Sequence, residues 1–305
     1  MDQIQAMRIF MRVVEAGTFT KAAGSLSLPK ATVTKHVQVL EDRLRVKLLS
    51  RTTRRVTVTP EGASYYERTT RLLMDLDDIE ASMSNARSNP RGRMRVDVGS
   101  STAQLLILPN LAEFHARFPD IQVELGVSDR MVDLISDNVD CVIRAGELTD
   151  QSLVARRIGN FEFITVASPG YLALHGTPKH PLAIEENHSV VVYMSPQTGR
   201  HYPLEFRKGE ESISINGPYK VSVNESNAYV TAALSGLGIV QITSDQAMPH
   251  LENKALVRIL PEWTRPLLPI YVVYPPNRHL SAKVRAFVDW AAELTQRTPY
   301  LQRFV

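Results

Sequence analysis

Apolar residues recur every three to four positions through most of the first sixty residues. Ile4, Met7, Phe10, Met11 and Val14 predict a first helix that ends at Glu15-Ala16-Gly17, with Gly17 as its carboxy-terminal cap. Thr18 is placed to cap a short second helix, in which Ala22 and Ala23 let another helix cross closely. Ser27-Leu28-Pro29 turns the chain into a third helix, whose Val33, Val37, Leu40 and Leu44 form one apolar stripe. This spacing is that of a helix-turn-helix. From Lys47 to Thr59 the pattern changes to a hairpin, with apolar-polar alternation in its second arm and a basic tip, which reads as a wing.

Pro60 opens a long periodic segment that runs to Asn89-Pro90-Arg91-Gly92, the best domain boundary in the chain. Within it Leu72, Leu76, Ile79 and Met83 recur at spacings of 4, 3 and 4, the seam expected of a helix that pairs with a second copy. Beyond Arg93, short apolar runs alternate with amphipathic stretches, as in βαβ units around a largely parallel sheet. Strands are predicted near 94–99, 121–127, 140–144, 161–167, 189–194, 237–242 and 269–274, and helices at 103–117, 130–136, 226–235 and 281–296. The prolines and tryptophan between Pro261 and Pro269 precede a return of the chain to the first half of this region.

Charge sharpens the picture. The whole chain carries a net +3, but residues 1–60 hold eleven Lys/Arg against four acidic residues, and residues 61–89 hold three against six. Positive charge is thus concentrated where a polyanion can be met. Residues 90–305 are nearly balanced, at 21 bases and 22 acids, unlike a constitutive DNA-packaging protein. With no apolar run of eighteen residues and an amino terminus too polar for a signal peptide, a cytoplasmic protein without membrane contact is expected. The single Cys141 offers no disulfide or paired-thiol motif and is expected to pack as a small apolar residue. His175, His180, His188 and His201 are scattered, are expected at the surface, and give no metal-ligand pattern. Without GxSxG, Walker A or GxGxxG motifs, hydrolase, nucleotidase and dinucleotide-enzyme readings lose their usual support, so neither catalytic residues nor a cofactor is expected.

The third helix turns Lys30, Thr32, Thr34, Lys35 and Gln38 away from its apolar stripe. Lysine can donate to guanine O6 and N7, and threonine can meet a thymine methyl or a phosphate, so these five are the candidate base contacts. Arg51, Thr53, Arg54 and Arg55 in the wing suit phosphate or a narrow minor groove.

Ala22-Ala23, Leu26, Pro29-Lys30-Ala31-Thr32-Val33-Thr34, Leu40-Glu41, Leu44, Leu48-Leu49-Ser50-Arg51-Thr52-Thr53-Arg54 and Thr59-Pro60-Glu61-Gly62 together resemble the LysR-type transcriptional regulators. The Arg-Thr-Thr-Arg wing is similar to that of the CrgA-like subgroup, and the resemblance continues to about residue 295. Two departures stand out: Arg45 replaces a usual Gly, and Leu49 replaces a frequent Phe. The implied fold is α/β with an N-terminal, mainly-α winged helix-turn-helix at 1–59 and a linker and dimerisation helix at 60–89. A two-lobed, periplasmic-binding-protein-like (type 2) effector domain then spans 90–305, with lobe I near 92–161 and 268–305 and lobe II near 162–267. Pairing through the linker helix predicts a near-palindromic operator in double-stranded DNA, and the resemblance further implies a small-molecule effector, dimers joined into a tetramer, and contact with RNA polymerase if the protein activates.

In the implied cleft, Ser100, Ser101 and Thr102 follow a strand and open a helix, where hydroxyls and free N–H groups suit a carboxylate or other anion. An ordinary helix cap explains them as well. Ser128 and Asp129 after the second strand and Arg144 after the third are further candidates, and Arg144 can equally hold a structural salt bridge. Ser195 and Thr198 in the loop Met194–Gly199, and Asn227 in the helix start Asn224-Glu225-Ser226-Asn227, are weaker candidates on the opposite lobe. An enzyme that turns over a small substrate at Ser100–Thr102 is the competing reading, but no base or metal site accompanies those hydroxyls.

Overall fold

A computed structural model describes residues 2–51, 56–83, 90–132, 134, 137, 139–146, 153–276 and 280–301. The chain divides into two compact units, Met1–Ser88 and Asn89–Val305. The first contains helices α1 (Gln3–Ala16), α2 (Phe19–Leu26) and α3 (Lys30–Leu44), strands β1 (Leu49–Arg51) and β2 (Val56–Val58), and the long helix α4 (Pro60–Met83). Local chemistry sets these boundaries. Asp2 and Thr18 accept from Ile4 N–H and Lys21 N–H, and Gly17 takes the left-handed conformation (φ 69°) that ends α1. Arg45 adopts the same left-handed cap after α3 with φ 54°, a conformation that costs any side-chain-bearing residue about 1 kcal/mol.

The core of this unit corrects one expectation. The buried face of α1 is Ala6, Met7, Ile9, Phe10 and Val13, while Ile4 is exposed. Val33, Val37 and Leu40 of α3 are buried as the stripe predicts, with Leu48 and Leu49 closing the cluster from the wing. The first turns of α4 join this core: the rings of Tyr65 and Phe10 meet edge to face, with centroids 5.6 Å apart.

The described residues of the second unit form one five-stranded sheet and three smaller ones. Strands β3 (Gly92–Val98), β4 (Ile121–Val127), β5 (Cys141–Ala145) and β6 (Val154–Phe161) belong to the five-stranded sheet. Between β3 and β4 lies one helical run: α5 (Ser100–Thr102), a π turn over Ala103–Ile107, and α6 (Leu108–Arg117). The widened turn ends two residues before Pro109, which has no N–H to continue the ladder. The chain then passes through β7 (Phe163–Ala167), α7 (Pro169–His175), α8 (Leu182–Asn187), β8 (Val190–Met194) and β9 (His201–Tyr202). It continues through the hairpin β10 (Leu204–Lys208) and β11 (Glu211–Ile215), then β12 (Tyr219–Val223), α9 (Ser226–Leu234), β13 (Val240–Thr243), α10 (Ser244–Glu252) and β14 (Val257–Arg258). Finally β15 (Leu268–Tyr274) returns to the first sheet, in the order β4-β3-β5-β15-β6, and α11 (Ala282–Arg297) covers it.

The sheet is less parallel than expected. β3 runs parallel to β4 and β5, whereas β15 runs antiparallel to β5 and β6. The described residues of the predicted helix at 130–136 form turn and coil instead. Beneath α11, Phe114, Phe287 and Trp290 are fully buried with ring centroids 5.1–5.6 Å apart, and each such side chain contributes roughly 1.5–3 kcal/mol. Around the smaller sheets Val190, Ile239 and Trp263 pack in one cluster, and Val191, Val240 and Tyr229 in another. Cys141 lies fully buried in β5, and burial pushes its thiol up. His188 is a correction: it is buried against Tyr171, and burial, followed by the nearby His175, lowers its pKa. Among the described residues no helix is long and apolar enough to cross a membrane.

Candidate DNA interface and effector cleft

Helix α3 keeps Lys30, Lys35 and Gln38 exposed and Thr32 and Thr34 half-buried, on positions other than its buried Val33, Val37 and Leu40. Two cations and an amide therefore project from three turns of one rigid helix, a geometry that fits donors to base edges. Arg51 ends β1, but its side chain lies outside the described residues, as do Thr53, Arg54 and Arg55. What is described is how the wing is held. Glu41, buried to 2% exposure, accepts from Leu48 N–H at 3.0 Å and Leu49 N–H at 3.1 Å, and pairs with Lys47 at 3.0 Å. Burial opposes its charge, but Lys47 and the two backbone donors outweigh that, so its pKa falls below the usual carboxylate range. Sequence reasoning gave Glu41 no role. Its signal was an acid four residues after Val37, on the helix face that otherwise carries the apolar stripe.

A second joint fixes the wing to α4. Thr59 Oγ1 donates to Lys47 C=O at 2.7 Å and accepts from Gly62 N–H at 2.9 Å. A Cβ on Gly62 would lie 2.0 Å from the Leu48 carbonyl oxygen, so only glycine lets the helix approach this closely. On α4, Leu72 is 52% exposed and Leu76 half-buried; the side chains of Ile79 and Met83 lie outside the described residues.

In the second unit the structure gathers some effector candidates and separates others. Ser100 N–H donates to Asp129 Oδ1 at 2.7 Å, and Ser226 N–H donates to Asp129 Oδ2 at 2.6 Å. Tyr193 Oη donates to the same Oδ2 at 3.1 Å, and Ser101 N–H donates to Ser226 Oγ at 3.2 Å. One carboxylate thus joins the first turn of the α5–α6 run to the first turn of α9 and to β8. Burial, then Asp129, raises the Tyr193 pKa, which keeps its hydroxyl a donor. Thr102 is buried on the same turn, and Ser128 Oγ accepts from Arg130 N–H at 3.0 Å, shaping the loop that carries Asp129. Asn227 N–H is taken by Glu225 at 3.0 Å. Ser195 and Thr198 close their own turn, with Thr198 N–H donating to Ser195 Oγ at 3.2 Å. Ser226 lies in the predicted helix start, whereas Tyr193 was not among the predicted residues; it precedes Ser195 by two positions.

Arg144 makes the structural ion pair. Its guanidinium bonds Asp97 and also donates to the carbonyl of Arg130 at 3.2 Å, with both members of the pair nearly buried. Burial, the larger effect, holds the Asp97 pKa above its ordinary value despite Arg144. Among the described residues no group of three His, Cys, Asp or Glu could hold a metal ion.

An exposed basic helix beside an anchored wing, followed by a two-lobed α/β unit with polar groups meeting across its cleft, defines a ligand-responsive DNA-binding regulator. The profile of a bacterial regulatory helix-turn-helix protein of the lysR family matches residues 4–63, and that of the LysR substrate binding domain matches residues 87–296. The chain belongs to the LysR family of transcriptional regulators. It is 36% identical to an HTH-type transcriptional repressor of Pseudomonas aeruginosa over 99% of this chain and 95% of that relative. It is 38% identical to the HTH-type transcriptional regulator YhjC of Escherichia coli over 96% of this chain and 97% of that one. The solved structure of CrgA from Neisseria meningitidis matches with a TM-score of 0.60 at 30% identity, covering 95% of this chain and 97% of CrgA. That of the Vibrio cholerae virulence activator AphB matches at 0.59 and 29% identity, covering 96% and 99%. Family and relatives are transcriptional regulators, which sets aside the enzymatic reading.

Proposed function

We propose that this regulator reads a near-palindromic operator in double-stranded DNA through Lys30, Thr32, Thr34, Lys35 and Gln38, with Arg51, Thr53, Arg54 and Arg55 on phosphate or in the minor groove. Residues 1–59 form the DNA-binding part, 60–89 the linker that pairs two copies, and 90–305 the effector domain, with lobe I near 92–161 and 268–305 and lobe II near 162–267. The paired copies assemble further into tetramers in the cytoplasm, at the promoters they occupy. A small anionic organic molecule bound between the lobes, near Ser100, Ser101, Thr102 and Asn227, shifts the balance between two arrangements of the assembly by its different affinity for each. The observation that carries the effector reading is the meeting of two helix amino termini on a single carboxylate, that of Asp129.

A gel shift on the intergenic DNA beside its own gene tests the DNA reading. A sequence-dependent complex that weakens steeply with salt supports it; equal affinity for random DNA overturns it. For the effector, thermal unfolding of the full chain against a panel of small organic acids should give a stabilising shift with at least one.

A further inference from the structure

The donors that would hold an anionic effector are already engaged. Ser100 N–H and Ser226 N–H both point at Asp129, Ser101 N–H at Ser226 Oγ, and Asn227 N–H and Ala228 N–H at Glu225. Asp129 itself lies in the loop after β4, on the five-stranded sheet's side, while two of its three donors, Tyr193 and Ser226, belong to the opposite lobe. Its backbone position is held independently, by Arg144 on the neighbouring Arg130 carbonyl and by the Ser128 turn. A carboxylate that accepts from two helix ends and a phenol, on both sides of a cleft, has the chemistry of a bound organic acid.

We propose that Asp129 is an internal stand-in for the effector carboxylate, a latch that holds the two lobes together until an anionic ligand displaces it. This rests on the effector reading above and deepens it. The latch sets a threshold, because the apparent ligand affinity is the intrinsic affinity multiplied by the small fraction of molecules in which Asp129 has left the helix ends. It also gives specificity: neutral ligands cannot replace the charge, whereas a carboxylate restores every hydrogen bond that it breaks.

Amide hydrogen exchange on the full chain tests this without DNA or a known effector. In Asp129→Ala, peptides covering Ser100 and Ser226 should exchange at least about tenfold faster than in the unaltered chain, the factor for losing a hydrogen bond to a charged group. Acetate, the missing side chain supplied in solution, should slow that exchange again in Asp129→Ala and leave the unaltered chain unchanged, since its site is filled. Asp129→Asn keeps the volume and one acceptor oxygen and should fall between the two, which preserves the test if the alanine variant folds poorly. Unchanged protection in both variants, or faster exchange that acetate does not reverse, overturns the proposal. An effector panel that gives no thermal shift would remove the effector reading and leave this exchange result standing, so the two failures are distinguishable.

Discussion

The winged-helix unit turns its helix α3 cations outward, and the effector unit folds the charges around its cleft inward. Lys30 and Lys35 sit exposed on consecutive turns of α3, where a phosphate-rich partner can collect them. Arg144, Asp97 and Asp129 instead lie inside or across the cleft, each committed to protein groups. Exposed charge is ready for a partner but contributes little to the fold, while partnered charge fixes shape and is costly to disturb.

The sharpest way to break that contrast is at the buried pair. Arg144→Ala should destabilise the effector unit by roughly 3–5 kcal/mol in urea unfolding, because it strands Asp97 without its partner. Adding Asp97→Asn should recover most of the loss. The sign with pH follows from burial: Asp97 is already held above its ordinary pKa and rises further without Arg144, so the cost of the single variant is full at neutral pH and shrinks as acid protonates the carboxyl.

Glu41 is a buried charged anchor in the outward-facing unit. Glu41→Ala leaves two wing N–H groups without acceptors and should cost roughly 3 kcal/mol, read by unfolding followed through the DNA-binding unit. Glu41→Gln should cost less, since the amide oxygen still accepts. Because the Glu41 pKa is depressed, its contribution is present above the ordinary glutamate pKa and is lost only as pH falls through the lower folded value. An exposed contact behaves differently: Lys35→Ala should leave stability within about 0.5 kcal/mol and weaken operator binding about tenfold in a gel shift. The smallest effect is a gain, since Arg45→Gly relieves the left-handed cap and should raise stability by about 1 kcal/mol in the same unfolding assay.

The two units also differ in how far they can be read without coordinates. Gly17, Thr18 and Pro29 punctuate the first three helices locally, so their boundaries were visible. The buried face of α1 was not, because Ile4, Ala6, Met7, Ile9, Phe10, Met11, Val13 and Val14 are apolar almost all round, and packing against α2, α3 and α4 selects the phase. Strand β6 escaped notice because Arg156 and Arg157 interrupt any alternation, although β15 pairs with it along its length. The β10–β11 hairpin did carry a signal, alternating Leu204/Phe206 and Ile213/Ile215 around Gly209. In the cleft, Ser100, Asp129 and Arg144 could be nominated from their places at strand ends. That Asp129 would meet Ser100, Tyr193 and Ser226, at separations of 29, 64 and 97 residues, depends on the sheet order and not on any local pattern.

The joint of Thr59 and Gly62 against Leu48 has a mechanical meaning. Helix α4 has 24 residues and is clamped to the wing at its first turn, so it acts as a lever arm of about 36 Å at 1.5 Å per residue. A tilt of only about 5° at the clamp sweeps its far end through about 3 Å, and a displacement imposed at the far end is geared down into a fine adjustment of the wing. Glycine at position 62 therefore sets the backlash of this gear: with no Cβ between helix and strand, little of the motion is lost before it reaches the wing.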